Sequence, residues 1–291
     1  MENSSGVGKK KIIYGMCAGL LFAVLLAMTC YGRLPRERAT VRIVVLGDSI
    51  LGDCRDETSV PSLLAEYLGE PIFNGTLGGT TMGRQDREIR LANTKDCLSL
   101  QALAQSIAAD DFGVQQTVRS RENATEYFAG TIDALEKIDF DSVDILLIEH
   151  GINDYHSGVP IENKEEPFDA YSFTGALRSA VTTLQRTYPE LRIILVTPTY
   201  SWYPANEIPG LTCEEYDLGG GLLEEYVNAE IREAQSMGVE VLDLYHDYYP
   251  HDQWSEWSLY TKDGVHPNEA GRRLLAETLY EYLVRGEVPI S

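Results

Sequence analysis

Five short runs rich in apolar residues mark the chain at 41–45, 71–73, 143–148, 192–196 and 239–244. The first, VRIVV, is mostly β-branched and has no polar alternation, the pattern of a strand buried on both faces of a parallel sheet. Between these runs the apolar positions recur every three or four residues, as on one face of a helix. Val60, Leu64 and Leu68 form one such series, with Pro61 near its start and Gly69 just past its end. Leu100, Leu103, Ala104 and Ile107 form a second, and Phe128, Ile132 and Leu135 a third. The polar break between those two, residues 110–123, is expected to be exposed. Further helices are predicted around Phe173, Leu177, Val181 and Leu184, and around Leu223, Val227, Ile231 and Ala234. The last begins after Pro267 and turns Leu275, Leu279 and Leu283 inward. Two aromatic-rich loops, 197–221 and 245–262, interrupt the alternation, and loops of that length tend to be functional or mobile.

Strand and helix thus alternate five times, which predicts one α/β domain: three layers, with a five-stranded parallel sheet between helices. Right-handed crossovers and the strand count suggest flavodoxin-like winding with order 2-1-3-4-5. This domain is expected over residues 41–291. Ahead of it, Lys9, Lys10 and Lys11 precede an uncharged, mainly apolar stretch at 12–31, long enough as a helix to cross about 30 Å of hydrocarbon. Its cleavage signals are weak, so it reads as an uncleaved transmembrane signal anchor rather than a removed signal peptide. Residues 1–11 would be a cytoplasmic tail and 32–40 a linker, which places the domain outside the cytoplasm.

Composition narrows the function. The formal net charge is −21, and the excess is greater outside the first 38 residues, which hold six of the 24 basic residues but two of the 45 acidic ones. Such a body repels nucleic acid and anionic headgroups, and argues against both as partners beyond the anchor. The five cysteines show no C-x-x-C spacing, and the pairs His246-Asp247 and His251-Asp252 are accounted for by loop polarity. No zinc or redox motif is present.

Candidate chemistry gathers where the predicted strands end. Gly47-Asp48-Ser49 comes after the first strand, Gly78-Gly79 after the second, and Gly151-Ile152-Asn153-Asp154 after the third. In this class of fold the carboxyl edge of the sheet is where ligands bind. Near the C-terminus, Asp263-Gly264-Val265-His266-Pro267 spaces a carboxylate and an imidazole three residues apart in a turn entering a helix. Asp263 could then accept from His266 Nδ1–H while Nε2 faces Ser49, supplying the base that a serine hydroxyl needs to act as nucleophile. The backbone N–H groups of Ser49 and Gly79 and the side-chain amide of Asn153 would hold a developing oxyanion. The choice of Gly79 over Gly78 rests on spacing to Asn74 and Thr81. Trp202, Tyr203, Trp254 and Trp257, from the two aromatic loops, are candidates to stack on a sugar or else to pack those loops onto the body.

In chain order these blocks resemble the four sequence blocks of the SGNH/GDSL hydrolase family, and the resemblance covers essentially everything after residue 40. It implies a serine esterase with Ser49 as nucleophile, His266 as base, Asp263 as its orienting acid, and the oxyanion donors just named, working without metal or cofactor. The substrate expectation is a short O-acyl group on an extracytoplasmic glycan. A lipid esterase, lysophospholipase or thioesterase, a catalytically silent binding protein of the same fold, and a metal-dependent phosphodiesterase are the competing readings.

Overall fold

The computed structural model describes residues 38–85, 96–120, 125–247, 251 and 253–285. Residues 1–37 lie outside this set, so the expected tail, the anchor at 12–31 and most of the linker are not among the described residues. Among those described, no helix is long and apolar enough to cross a membrane.

From Ala39 onward the chain forms one compact unit. Its strands are β1 (Ile43–Gly47), β2 (Ile72–Asn74), β3 (Ile145–Glu149), β4 (Arg192–Val196) and β5 (Glu240–Leu242). All pair in parallel, in the order β2-β1-β3-β4-β5. This is the winding expected from the alternation of patterns. The register sets Gly47, Glu149 and Val196 side by side at the carboxyl ends of the three central strands. The loops leaving these three strands therefore emerge on one edge.

The main helices are α1 (Ser49–Gly52), α2 (Val60–Leu68), α3 (Leu100–Ala109), α4 (Glu126–Leu135), α5 (Ile152–His156), α6 (Phe173–Thr187), α7 (Leu223–Met237) and α8 (Glu269–Arg285). Sequence punctuation explains α2 well. Ser59 Oγ caps the N–H of Ser62, Pro61 sits in the first turn, and Gly69 ends the helix at φ 67°. Helix α2 packs against α8, while α3 packs against α6 and α6 against α7. Val44 to Leu46, Leu146 to Ile148 and Ile194 to Val196 form the buried middle layer.

Two loops pack more tightly than their polarity predicts. The stretch after α3 is not a solvated break, because Phe112, Gln115 and Val118 are buried within it. Gln115 donates to Cys97 O and accepts from Ser106 Oγ, which satisfies its amide in the interior. The aromatic loop 197–221 folds back as a small antiparallel pairing. Tyr203 N–H donates to Leu211 O, Cys213 N–H donates to Ser201 O, and Tyr200, Trp202 and Cys213 are buried.

Candidate active site

Ser49 opens the short helix α1 immediately beyond β1. Gly47 is needed for clearance more than for turning: a Cβ there would sit 2.9 Å from Glu149 O on the paired strand. Asp48 caps α1, its carboxylate accepting from Ile50 N–H at 2.9 Å. Neither the Ser49 N–H nor the Gly79 N–H has a partner among the described residues.

The turn carrying His266 is built by its own side chains. Asp263 Oδ1 accepts from the N–H groups of Val265 and His266, and Asp263 Oδ2 lies 2.7 Å from His266 Nδ1. His266 Nε2 lies 3.0 Å from Ser49 Oγ, across 217 residues of sequence. This network requires the tautomer in which Nδ1–H donates to Asp263 and Nε2 accepts the hydroxyl proton. Partial burial opposes charge on Asp263, but the bonds from His266 and Val265 outweigh it and hold the carboxyl below its ordinary range. Two clamps keep the turn in place. Trp202 N–H donates to Gly264 O at 2.8 Å, and Lys262 Nζ pairs with Asp53, whose own N–H donates to Ser49 O.

The glycine turn after β2 reaches Ser49 because the loop runs along β1. Gly75 N–H donates to Val45 O and Leu77 N–H to Gly47 O, both at 2.8 Å. The next two N–H groups differ in use. That of Gly78 donates to Tyr127 Oη at 2.8 Å, whereas that of Gly79, at φ 73°, remains open. Asn153 sits at the start of α5, and both its amide hydrogens are committed within the protein. Nδ2 donates to Asp48 Oδ2 at 2.9 Å and to Thr80 O at 3.0 Å. Of the three oxyanion donors expected from the sequence, two are open, whereas the Asn153 amide is engaged by Asp48 and Thr80.

Beneath this edge lies a set of buried ionisable groups to which sequence reasoning assigned no role. Asp48, Glu149, His150 and Asp154 are all fully buried. Burial pushes Asp48 up to about 6 and Asp154 up to about 7, the latter despite N–H bonds from Met82 and Gly83. Glu149 is driven well above the carboxylate range by burial and then by the charge of Asp48. Neither of its oxygens has a hydrogen-bond partner among the described residues, which penalises the charged form further. His150 is held down to about 3 by burial alone. Glu149 was visible as a carboxylate directly after an apolar run, but polarity at a strand end does not distinguish a buried acid from a solvated one.

The aromatic candidates separate. Trp202 is 1% exposed and packs edge-on against Tyr200 at 4.9 Å, so it cannot offer a face to a sugar. Its position is explained by its backbone bond to the histidine turn, which draws the loop inward. Tyr203 is half-buried, with its hydroxyl 3.0 Å from His156 Nε2. Burial and then the charge of His266 lower His156 to about 4, so it is neutral at pH 7. Trp257 packs against the core, while Trp254 is 37% exposed. Among the described residues no group of His, Cys, Asp and Glu has metal-binding geometry.

Known proteins resemble the chain in sequence and in fold. A stretch of 135 residues is 31% identical to the human isoamyl acetate-hydrolyzing esterase 1 homolog, covering 45% of this chain and 51% of that protein. The match thus spans about half the length of that relative. A crystal structure of a protein from Lactobacillus plantarum shares the fold with a TM-score of 0.59 and 20% identity, over 84% of this chain and 98% of that one. A Chitinophaga pinensis structure described as a "possible lipase" gives a TM-score of 0.53 at 20% identity, over 84% and 99%. Residues 45–274 match the GDSL-like lipase/acylhydrolase family over most of the domain, and the chain belongs to that family.

Proposed function

We propose that the protein is a serine ester hydrolase that removes short O-acyl groups through an acyl-enzyme. The observation that carries this reading is the hydrogen-bonded series from Ser49 Oγ to His266 Nε2 and from Nδ1 to Asp263, beside two open N–H groups. His266 Nε2 takes the Ser49 proton as Oγ attacks the ester carbonyl carbon. The carbonyl oxygen gains charge and is held by the N–H groups of Ser49 and Gly79, with Asn153 as the shared third donor. Collapse breaks the bond to the alcohol oxygen, which leaves with the proton from His266 Nε2. Water, deprotonated by the same nitrogen, then releases the acid and restores Ser49. Asp263 holds the tautomer and balances the imidazolium throughout.

The alcohol is proposed to be a sugar, with Trp254 as the stacking residue, since this tryptophan is partly exposed on the loop that leads into Asp263. The apolar stretch at 12–31 would tether the domain on the extracytoplasmic side. Acetate release from acetylated oligosaccharides, compared with p-nitrophenyl esters and lysophospholipid, tests the substrate class. The proposal expects release from the oligosaccharide, abolished by Ser49→Ala and by His266→Ala. Preference for lysophospholipid would move the reading to a lipid esterase, and full activity in either variant would reject the assignment of nucleophile or base. Protease protection in intact cells tests the orientation: a protected domain would reverse it.

A further inference from the structure

Tyr127 lies on α4, far in sequence from every block that carries the chemistry, yet its hydroxyl meets the glycine turn beside Ser49. Gly78 N–H donates to Tyr127 Oη at 2.8 Å. A Cβ built on Gly78 would lie 3.1 Å from that oxygen and 3.6 Å from Ser49 Cβ. Tyrosine hydroxyl and serine side chain therefore crowd one narrow niche above Gly78, where even an added Cβ would meet Tyr127 Oη closer than ordinary van der Waals contact.

The ring is fixed on its other sides as well. Arg55 Cζ stands 4.6 Å from the ring centroid, and Phe128 meets the ring edge-on at 5.0 Å. Arg55 is itself immobilised: its Nη atoms donate to Asn74 Oδ1, Asn74 O, Thr76 O, Thr76 Oγ1 and Thr131 Oγ1. Thr131 Oγ1 in turn donates to Tyr127 O. Among the described residues this guanidinium has no carboxylate partner, so it is held in place by neutral oxygens and by the ring it covers. A side chain pinned at its hydroxyl, its face and its edge does not swing aside for a larger substrate.

The position of the niche is dictated by the chemistry of the bound ester. The carbonyl oxygen must point at the open N–H groups of Ser49 and Gly79, and the leaving oxygen must face His266 Nε2 to receive its proton. The remaining substituent of the carbonyl carbon is the acyl chain, and the space left for it is the niche beside Gly78. We infer that Tyr127, locked by Arg55 and Gly78, is the wall that limits the acyl group at Ser49 to a short chain. The inference rests on the reading of Ser49 as nucleophile and names a specificity-determining residue for that reaction.

The test is kcat/KM for p-nitrophenyl acetate, butyrate and hexanoate in wild type, Tyr127→Phe, Tyr127→Leu and Tyr127→Ala, with Ser49→Ala in parallel. Wild type should prefer acetate, and Tyr127→Ala should raise the hexanoate-to-acetate ratio by about tenfold or more, the scale on which pocket size discriminates methylenes. Tyr127→Phe keeps the ring and should keep the acetate preference. Tyr127→Leu keeps apolar packing against Phe128 and should shift the ratio in the same direction as Tyr127→Ala, which preserves the test if the alanine variant does not fold. A wild-type profile that rises with chain length, or a ratio unchanged in both Tyr127→Ala and Tyr127→Leu, would overturn the inference while Ser49→Ala remains inactive. An active Ser49→Ala would instead overturn the reading beneath it.

Discussion

Gly264 offers a way to move the histidine turn without touching a reacting group. Its φ is 93°, in the left-handed region, and its carbonyl accepts from Trp202 N–H. A Cβ there would lie 2.2 Å from Trp202 O and 2.6 Å from Pro204 Cδ. Carbon atoms pack at about 3.5 Å, so Gly264→Ala must displace the turn by about 1 Å. Forcing a non-glycine residue into this backbone conformation adds about 1–2 kcal/mol. At about 2–4 °C of Tm per kcal/mol for a domain of this size, the cost to stability is several degrees. The cost to activity is greater, because His266 rides on the same turn and a misplacement of about 1 Å removes about 10²-fold from the rate. Thermal unfolding together with kcat/KM for p-nitrophenyl acetate separates the two effects. The expected variant is folded at 25 °C and about a hundredfold slower. Activity within threefold of wild type would refute the claim that this clamp positions His266.

Asp263→Asn should lower kcat/KM by about 10²- to 10⁴-fold at unchanged far-UV circular dichroism, because the amide cannot enforce the Nδ1–H tautomer; a loss below tenfold would remove Asp263 from the mechanism. His150, buried and held down to about 3, binds a proton in the unfolded chain but not in the folded one between that value and its ordinary 6.5. It therefore costs stability as pH falls through that window, by at most about 1.4 kcal/mol per pH unit. His150→Phe should flatten urea-unfolding free energies between pH 6 and pH 4 relative to wild type, and parallel slopes would refute this reading. Trp202→Ala should lower Tm and depress activity on p-nitrophenyl acetate and acetylated oligosaccharide alike, since the ring is buried; a loss confined to the oligosaccharide would restore it as a sugar contact.

The strand order and the blocks that form the candidate site were legible because each is written in local sequence. Unalternated apolar runs mark buried parallel strands, and Asp263 and His266 stand three residues apart in one turn. The contacts that tune the site were not legible, because they join distant segments. Tyr127 meets Gly78 across 49 residues, and Lys262 meets Asp53 across 209. Burial of loop aromatics is likewise a tertiary property. Trp202 and Trp254 look alike in sequence, yet one is drawn under the histidine turn and the other stays at the surface. Spacing pointed to Gly79 over Gly78, but the physical reason, a tyrosine hydroxyl that occupies the Gly78 N–H and leaves the other open, lies 49 residues away.

The central claim is that Ser49 is a nucleophile activated by His266, and covalent trapping tests it most directly. Intact-mass and peptide mass spectrometry after treatment with a fluorophosphonate should show one adduct per chain, on the peptide containing Ser49. The adduct should be absent in Ser49→Ala and should form at least about a hundredfold more slowly in His266→Ala, because the hydroxyl loses its base. An adduct on another residue, or unchanged labelling in His266→Ala, would contradict the account.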